Sequence, residues 1–463
     1  MDPNSGTSQN SSFEGLIGVA QSDITPPINI YSRNWGAAEH DIAEGIHRPL
    51  ILTCITFQAS EKDKPLVLIG ADLGFWKNSA GELIFRDKIL KSLNLEPSNL
   101  MFCLSHTHAG PSICRDDVSN TGGELIEPYL DFVVNATVEA TKRAVSTASK
   151  STLTWAYGKC NLASNRDLPQ SEKNRFVVGF NPTQKADDTL LVGRVTNNDN
   201  KIVATIINYA CHPTTLAWQN RLISPDYVGS MRELVESGTQ APCLFLQGAS
   251  GELAPAQQYT GDVKVADKHG RRLGYSVMAV LESMQAPKKE ISFVKVVESG
   301  APLALWEASN YHPQTSLSCK LIEVEYNLKE LPSLQEIEAQ YDACEDRVIK
   351  ERIWRKRGIR VDLGDGDTVK VMLWVWKLGN SLLIGQPNES YSEFQIKVRD
   401  ELSPVTVAVM NLVNGSIGYL PPAGLYPKDI YSVWQSPFAA GSLEKLTEIA
   451  INSAKDLLAT NFT

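Results

Sequence analysis

The chain has 463 residues, enough for one large domain or for two to three ordinary ones. A hydrophobic content of 43% and a charged content of 21% are typical of a soluble globular protein, and no apolar run approaches the length of a membrane-spanning helix. The formal net charge of -9 argues against nucleic acid as a partner and provides no attraction to anionic membranes.

The first residues predict a short tail before one large domain. Residues 1–13 are mostly polar and are predicted to be disordered, followed by a single catalytic domain over residues 14–463. The tail lacks the basic start and apolar core of a signal peptide, so we expect a cytoplasmic protein or the mature form of a secreted one. The eight cysteines include no Cys-x-x-Cys pair, which favours buried thiols over a disulfide scaffold. The sequence does not fix the oligomeric state, and a homo-oligomer is one possible assembly.

The N-terminal third alternates strands and helices, which predicts an α/β fold with mixed β-sheets flanked by helices. An apolar strand over residues 99–104 leads to Ser105-His106-Thr107-His108 and then to a turn. Because residues two apart on a strand point to the same side, His106 and His108 are predicted to share one site.

The middle of the chain repeats this arrangement. A helix is predicted over residues 128–147, and a polar loop over 161–174 carries Arg166. An apolar strand over 202–210 leads to His212. A further strand, 241–246, leads to the loop 248–255.

The C-terminal third begins with a capping box at Ser333, which predicts one long charged helix that ends at Gly358. A hairpin over residues 367–384 leads to Glu389, and a strand over 405–413 leads to Tyr419. A closing helix is predicted over residues 442–458.

Four strand ends thus deliver side chains of the kind that bind metals: His106, His212, Glu389 and Tyr419. Neutral imidazole and carboxylate are ordinary zinc ligands, and a catalytic zinc keeps one position open for water. The pattern predicts a Zn²⁺ site.

Several short motifs also follow one another in a fixed order. They are His106-Thr107-His108 with Gly110-Pro111, Asn165-Arg166, His212-Pro213-Thr214, Ser224-Pro225-Asp226 with Gly229, the loop from Gly248 to Pro255, and the Glu389 and Tyr419 segments.

Over residues 14–455 this order resembles the catalytic domain of the neutral (alkaline, non-lysosomal) ceramidases, a family of zinc amidases. The resemblance implies a ceramidase-like catalytic domain with zinc held by the four predicted ligands. It also implies that His108, Arg166 and Tyr431 act in catalysis. Larger members of the family continue into a C-terminal β-sandwich domain, which this chain is expected to lack.

The segment Gly251-Glu252-Leu253-Ala254-Pro255 departs from the family pattern, Gly-Asp-x-Ser-Pro. Glu252 and Ala254 occupy positions implied to bind substrate, and Ala254 replaces the serine regarded as catalytic. A methyl group can neither attack a carbonyl nor donate a hydrogen bond. We therefore expect a zinc-activated water to cleave an amide or ester bond of a small, partly polar molecule rather than ceramide. Arg166 is expected to bind a substrate carboxylate or an oxyanion.

Three alternatives are left open by the sequence. The protein is a true neutral ceramidase, a metal-dependent amidohydrolase barrel, or a non-catalytic protein stabilised by zinc. The barrel also starts from His-x-His on a strand, but it needs two further strand-end histidines, and His269 and His312 are predicted in a helix and a loop. The retention of His108 and Arg166 counts against a non-catalytic protein.

Overall fold

The structure is a computed structural model that describes residues 11–364 and 366–459. The strands are β1 (Ser12–Asp23), β2 (Gly45–Ile46), β3 (Ile51–Gln58), β4 (Leu66–Ala71), β5 (Leu100–Leu104), β6 (Ser149–Lys159), β7 (Ala163–Asn165), β8 (Asp167–Gln170), β9 (Arg175–Val178), β10 (Thr189–Asn197), β11 (Ile202–Tyr209), β12 (Leu222–Ile223), β13 (Cys243–Gln247), β14 (Leu253–Pro255), β15 (Lys289–Glu298), β16 (Pro302–Asn310), β17 (Leu317–Asn327), β18 (Thr368–Leu378), β19 (Ser381–Gly385), β20 (Glu389–Ser390), β21 (Thr406–Met410) and β22 (Tyr419–Leu420). The α-helices are α1 (Ser79–Leu93), α2 (Ile126–Ser146), α3 (Tyr227–Thr239), α4 (Val263–Ser283), α5 (Leu334–Ala343), α6 (Arg347–Leu363), α7 (Ser392–Glu401), α8 (Tyr431–Gln435) and α9 (Ser442–Ala459).

Two mixed sheets pack face to face between helices. The larger has eight strands in the order β13-β11-β10-β6-β1-β3-β4-β5, and the smaller has the order β17-β18-β19-β21. Helices α1 to α4 cover the outer face of the larger sheet, whereas α7 and α9 cover the smaller one. The predicted class, mixed β-sheets flanked by helices, is confirmed.

The alternation of side chains along the strands explains this layering. In β3, Leu52 and Cys54 pack against α1 and α2, while Ile55 and Phe57 enter the core between the sheets. Trp374 and Trp376 of β18 enter that core from the smaller sheet. Since side chains on both faces are apolar, each sheet is covered on both sides.

The larger sheet curls until its outer strands approach each other. At Gly70 of β4, an added Cβ would lie 2.8 Å from the carbonyl oxygen of Phe245 in β13, so this approach requires glycine. The curl brings the residues that follow β5 close to those that follow β11.

The predicted disordered tail was too long. Residue Ser12 already belongs to β1, and Phe13 is fully buried with its ring 6.2 Å from that of Phe57. Burial of this aromatic ring stabilises the ordered backbone. Residues 1–10 of the predicted tail lie outside the described residues.

The single long helix predicted after Ser333 was wrong. The capping box is present, but α5 ends at Ala343, and Asp346 starts α6 by accepting hydrogen bonds from the backbone of Val348 and Ile349. Gly358 does not end α6. It allows the helix to lie against the Lys77 carbonyl, which an added Cβ would approach to 2.7 Å.

Among the described residues, no helix combines the length and the apolar composition that crossing a bilayer requires.

A buried ion pair fixes the end of β4. Arg232 of α3 donates two hydrogen bonds to Asp72, of 2.6 and 2.7 Å, and both side chains are almost fully buried. We expect Arg232→Ala to lower the free energy of unfolding by about 3–5 kcal/mol, because it leaves a buried carboxylate unpaired. Chemical denaturation measures this free energy of unfolding.

Lys88→Ala, which breaks the exposed pair with Asp131, is the control and should lower the free energy of unfolding by about 1 kcal/mol or less. Equal effects of the two changes would contradict the assignment.

Candidate active site

His106 lies in a strained turn after β5. Its φ is 72°, and its backbone N–H donates to the Leu73 carbonyl over 2.9 Å. The strand alternation used to predict its direction therefore does not apply, although its ring centroid lies 4.8 Å from that of His108. Nδ1 lies 3.2 Å from the Gly74 carbonyl oxygen, which places the ring proton there. Nε2 is buried without a hydrogen-bond partner among the described residues.

His212 is held in the same manner after β11. Its Nδ1 lies 2.7 Å from the Ser250 carbonyl oxygen and 3.1 Å from that of Leu253. Burial, and then the positive charge of Arg166, lower the pKa of His212 to about 3. The ring is therefore neutral, with the lone pair of Nε2 directed at Glu389 over 2.9 Å.

Glu389 and Tyr419 are opposite each other in the parallel pair β20–β22. Oε2 of Glu389 lies 3.3 Å from Nε2 of His106, and the Tyr419 hydroxyl lies 3.5 Å from Nε2 of His212. The structure thus brings the four predicted ligands together.

The residues fit a divalent metal of the zinc type. The ligand atoms of His106, His212 and Glu389 all lie within 4.8 Å of one another. Ligands about 2 Å from a tetrahedral ion are separated by roughly 3.3 Å, close to the distances from Glu389 to the two imidazoles. Such an ion would accept the lone pair of the His106 Nε2, which has no hydrogen-bond partner among the described residues. Carbonyl groups fix both histidine tautomers, as is usual for metal ligands.

His108 lies beside this cluster without belonging to it. Its ring is 5.1 Å from Trp35 and 5.3 Å from Phe75, and both ring nitrogens are buried without a hydrogen-bond partner among the described residues. Burial, followed by His106 and His212, holds the pKa of His108 well below its usual value. Two aromatic rings therefore position a neutral imidazole that can accept a proton.

Arg166 lies in a segment that was predicted to be a polar loop but forms the short strands β7 and β8. Its Nε and Nη2 donate to the Gly251 carbonyl over 3.1 and 2.7 Å, and Nη2 also donates to the Tyr419 hydroxyl over 3.0 Å. These donors are occupied by the protein. Arg166 therefore orients Tyr419 and is poorly placed to bind a substrate carboxylate.

The group formed by His106, Glu389 and Tyr419 opens into a cavity of about 70 Å³. Tyr431 lines it from the start of α8, with its ring 5.6 Å from that of Tyr419. Aromatic and cationic side chains provide four of the remaining lining residues, namely Phe75, Trp76, Lys77 and Arg355. No local sequence pattern indicates Arg355, because α6 reaches the cavity only through the tertiary fold.

Glu252 and Ala254, predicted to bind substrate, do not line this cavity. The Glu252 carboxylate accepts hydrogen bonds from the backbone N–H and the hydroxyl of Ser392 at the start of α7, and burial raises its pKa to about 7. Ala254 is 1% exposed in β14, where it pairs with Ser164 of β7. Glu252 therefore caps a helix, and Ala254 packs beneath the site.

Comparison with known proteins gives the class. Residues 16–263, more than half of the chain, match the profile of a family described as "Neutral/alkaline non-lysosomal ceramidase, N-terminal". The protein therefore belongs to the neutral/alkaline ceramidase family and is a hydrolase of that family. No curated protein matches the chain.

Solved structures show the same fold. The neutral ceramidase from Pseudomonas aeruginosa is 16% identical, with a TM-score of 0.69 over 96% of this chain and 74% of that one. A structure described as a ceramidase complexed with C2 is 15% identical, with a TM-score of 0.68 over 96% of this chain and 75% of that one. The predicted family is confirmed, and the amidohydrolase barrel was wrong because the chain forms two packed sheets.

The geometry predicts that His106→Ala and His212→Ala each lose the metal. Each change removes an imidazole whose tautomer is fixed by a carbonyl, and the group of His106, His212 and Glu389 then loses one of its three ligand atoms. Wild-type protein loaded with zinc should contain one ion per chain by elemental analysis, and each variant should contain less than a tenth of that. His312→Ala, at an exposed loop histidine, is the control and should bind normally. Full zinc occupancy in His212→Ala would show that the site is assigned incorrectly.

Proposed function

We propose that the protein is a zinc-dependent hydrolase that cleaves an amide bond, or a related ester, with metal-activated water. The observation that carries this proposal is the convergence of His106, His212 and Glu389 beside a non-ligand group, His108, whose ring nitrogens have no hydrogen-bond partner in the described part of the chain. A zinc ion held by these three residues and Tyr419 would polarise the substrate carbonyl and lower the pKa of a bound water.

The side chains around the metal then have separate roles. His108 takes a proton from the water at a ring nitrogen and returns it to the leaving group, since its ring is fixed between Trp35 and Phe75. The Tyr431 hydroxyl, at the cavity wall, donates a hydrogen bond to the oxyanion. Arg166 keeps the Tyr419 hydroxyl beside His212. None of these roles needs the serine that Ala254 replaces.

A small, partly polar substrate is the first candidate. The cavity beside the metal encloses about 70 Å³ and has cationic groups, Lys77 and Arg355, in its wall. These cationic groups suit a polar or acidic group on the substrate. The net charge of -9 offers no attraction to an anionic bilayer.

A long-chain amide such as ceramide is the second candidate, favoured by one observation. A cleft of about 520 Å³ adjoins the cavity, and Ile359 and Gln435 border both. Several apolar side chains line this cleft, including Leu331, Ile353 and Trp434. An acyl chain that passed between Ile359 and Gln435 would be shielded from water.

His108 should affect turnover far more than metal binding. We expect His108→Ala to lower kcat by about 10²–10⁴-fold, the usual contribution of general acid–base catalysis, with zinc content near that of wild type. Steady-state kinetics and elemental analysis on the same preparation measure both. His269→Gln provides the control, since that buried histidine bonds Thr215 outside the cavity. Loss of zinc on His108→Ala would instead make His108 a ligand.

Substrate length separates the two candidates. N-acyl amides with acyl chains from acetyl to palmitoyl, and a long-chain ceramide in detergent, should be compared with zinc-loaded enzyme and after chelation. The first candidate predicts that kcat/KM falls as the acyl chain lengthens and that chelation abolishes all activity. Ala254→Ser should not switch on efficient ceramide hydrolysis, because that side chain is buried and does not line the cavity. A wild-type enzyme that prefers ceramide supports the second candidate, and activity on none of the compounds would favour a non-catalytic zinc protein.

A further inference from the structure

Helix α6 forms one wall of the metal cavity and is fastened there at several points. Arg347 donates to the Ala38 carbonyl and pairs with Asp41, while Arg355 donates to the Asn34 carbonyl over 2.8 Å. Further along the helix, Gly358 lies against the Lys77 carbonyl. Since these contacts reach both ends of the loop 34–41 and the segment before α1, the position of Arg355 in the wall is well determined.

Arg355 presents a guanidinium to the cavity that the protein only partly satisfies. Nε lies 3.2 Å from Glu351, Nη2 is bonded to Asn34, and Cζ lies 5.6 Å from the centre of the Phe75 ring. Among the described residues, Nη1 has no hydrogen-bond partner. The side chain is 21% exposed, and the cavity that it lines also contains His106, His108 and Tyr431.

The other cations near the site are less accessible to a ligand. Nζ of Lys77 lies 2.6 Å from Asp117, and the Lys77 side chain is only 6% exposed. Arg166 donates to Gly251 and Tyr419, and it does not line the cavity. Arg355 also pairs with Glu351, but its side chain is 21% exposed, so it is the more accessible of the two cations in the cavity wall. A planar guanidinium suits a carboxylate.

We propose that Arg355 recognises a carboxylate on the substrate, so that the favoured substrates are N-acyl amino acids. This inference rests on the proposed function, because it places the scissile amide at the metal and the carboxylate at α6. Arg355 then determines specificity, in place of the role that the sequence analysis gave to Arg166.

The test uses two compounds that differ only in this group, N-acetyl-leucine and N-acetyl-leucinol. Zinc-loaded wild type, Arg355→Gln, Arg355→Lys and the control Arg357→Gln are compared by steady-state kinetics and by calorimetric binding. Arg357 is a cation on the same helix that pairs with Glu338 and lines neither the cavity nor the adjoining cleft. Wild type should prefer the acid by roughly 10–100-fold in KM and Kd, the range expected for a hydrogen bond between charged groups.

Arg355→Gln should remove this preference by weakening binding of the acid, and Arg355→Lys should restore part of it. Arg357→Gln should keep the wild-type preference. Equal use of both compounds by wild type, or a preference that survives in Arg355→Gln, overturns the inference and leaves the proposed function intact. If wild type cleaves neither compound, the proposed function fails, but the calorimetric preference and its dependence on Arg355 still decide the inference. Should Arg355→Gln not fold, the comparison of Arg355→Lys with wild type decides it, since lysine lacks the two-donor geometry.

Discussion

The buried carboxylate of Glu389 between two imidazoles is the interaction on which the site depends. Oε2 of Glu389 lies 3.3 and 2.9 Å from Nε2 of His106 and His212, and both of these nitrogens present lone pairs because the ring protons are on Nδ1. Removing a carboxylate from water is costly unless it is compensated, so a carboxylate that faces two lone pairs requires a cation between them. Both imidazoles are fixed by backbone carbonyl groups, from Gly74 and Ser250, so they cannot turn away. A cation bound among these three groups would find ligands already oriented, which lowers the entropic cost of binding.

The two-sheet architecture explains how these groups meet. The histidines follow strands β5 and β11 of the larger sheet, whereas Glu389 and Tyr419 follow β19 and β21 of the smaller sheet. The short pair β20–β22 then aligns Glu389 with Tyr419. Because each sheet supplies half of the ligand set, the site exists only when the sheets are packed. Trp374 and Trp376 lie in the core between the sheets and so support the site from below.

The departure at Ala254 is easier to understand in this setting. In the family pattern a serine stands at this position, but here a methyl group packs in β14 and the neighbouring Glu252 caps α7. The loop has therefore become part of the support beneath the site. The cavity beside His106 and Glu389 is lined instead by aromatic rings and by Arg355, which is contributed by a helix distant in sequence from the family motifs. Chemistry that relies on metal-activated water and His108 is compatible with both changes.

The sequence by itself determined the family, the mixed α/β class and the four ligand-type residues, because strands, turns and short motifs are encoded locally. It also predicted the closing helix α9, over residues 442–458, to within one residue of the observed Ser442–Ala459. Tertiary structure decided the rest. His106 points to the site through a left-handed backbone stabilised by Leu73, not through strand alternation, and the donors of Arg166 are taken by groups 85 and 253 residues away. Arg355 enters the cavity because contacts with Asn34, 321 residues away, hold α6 in place. Such contacts join segments that are far apart in sequence, so no local pattern of residues can reveal them.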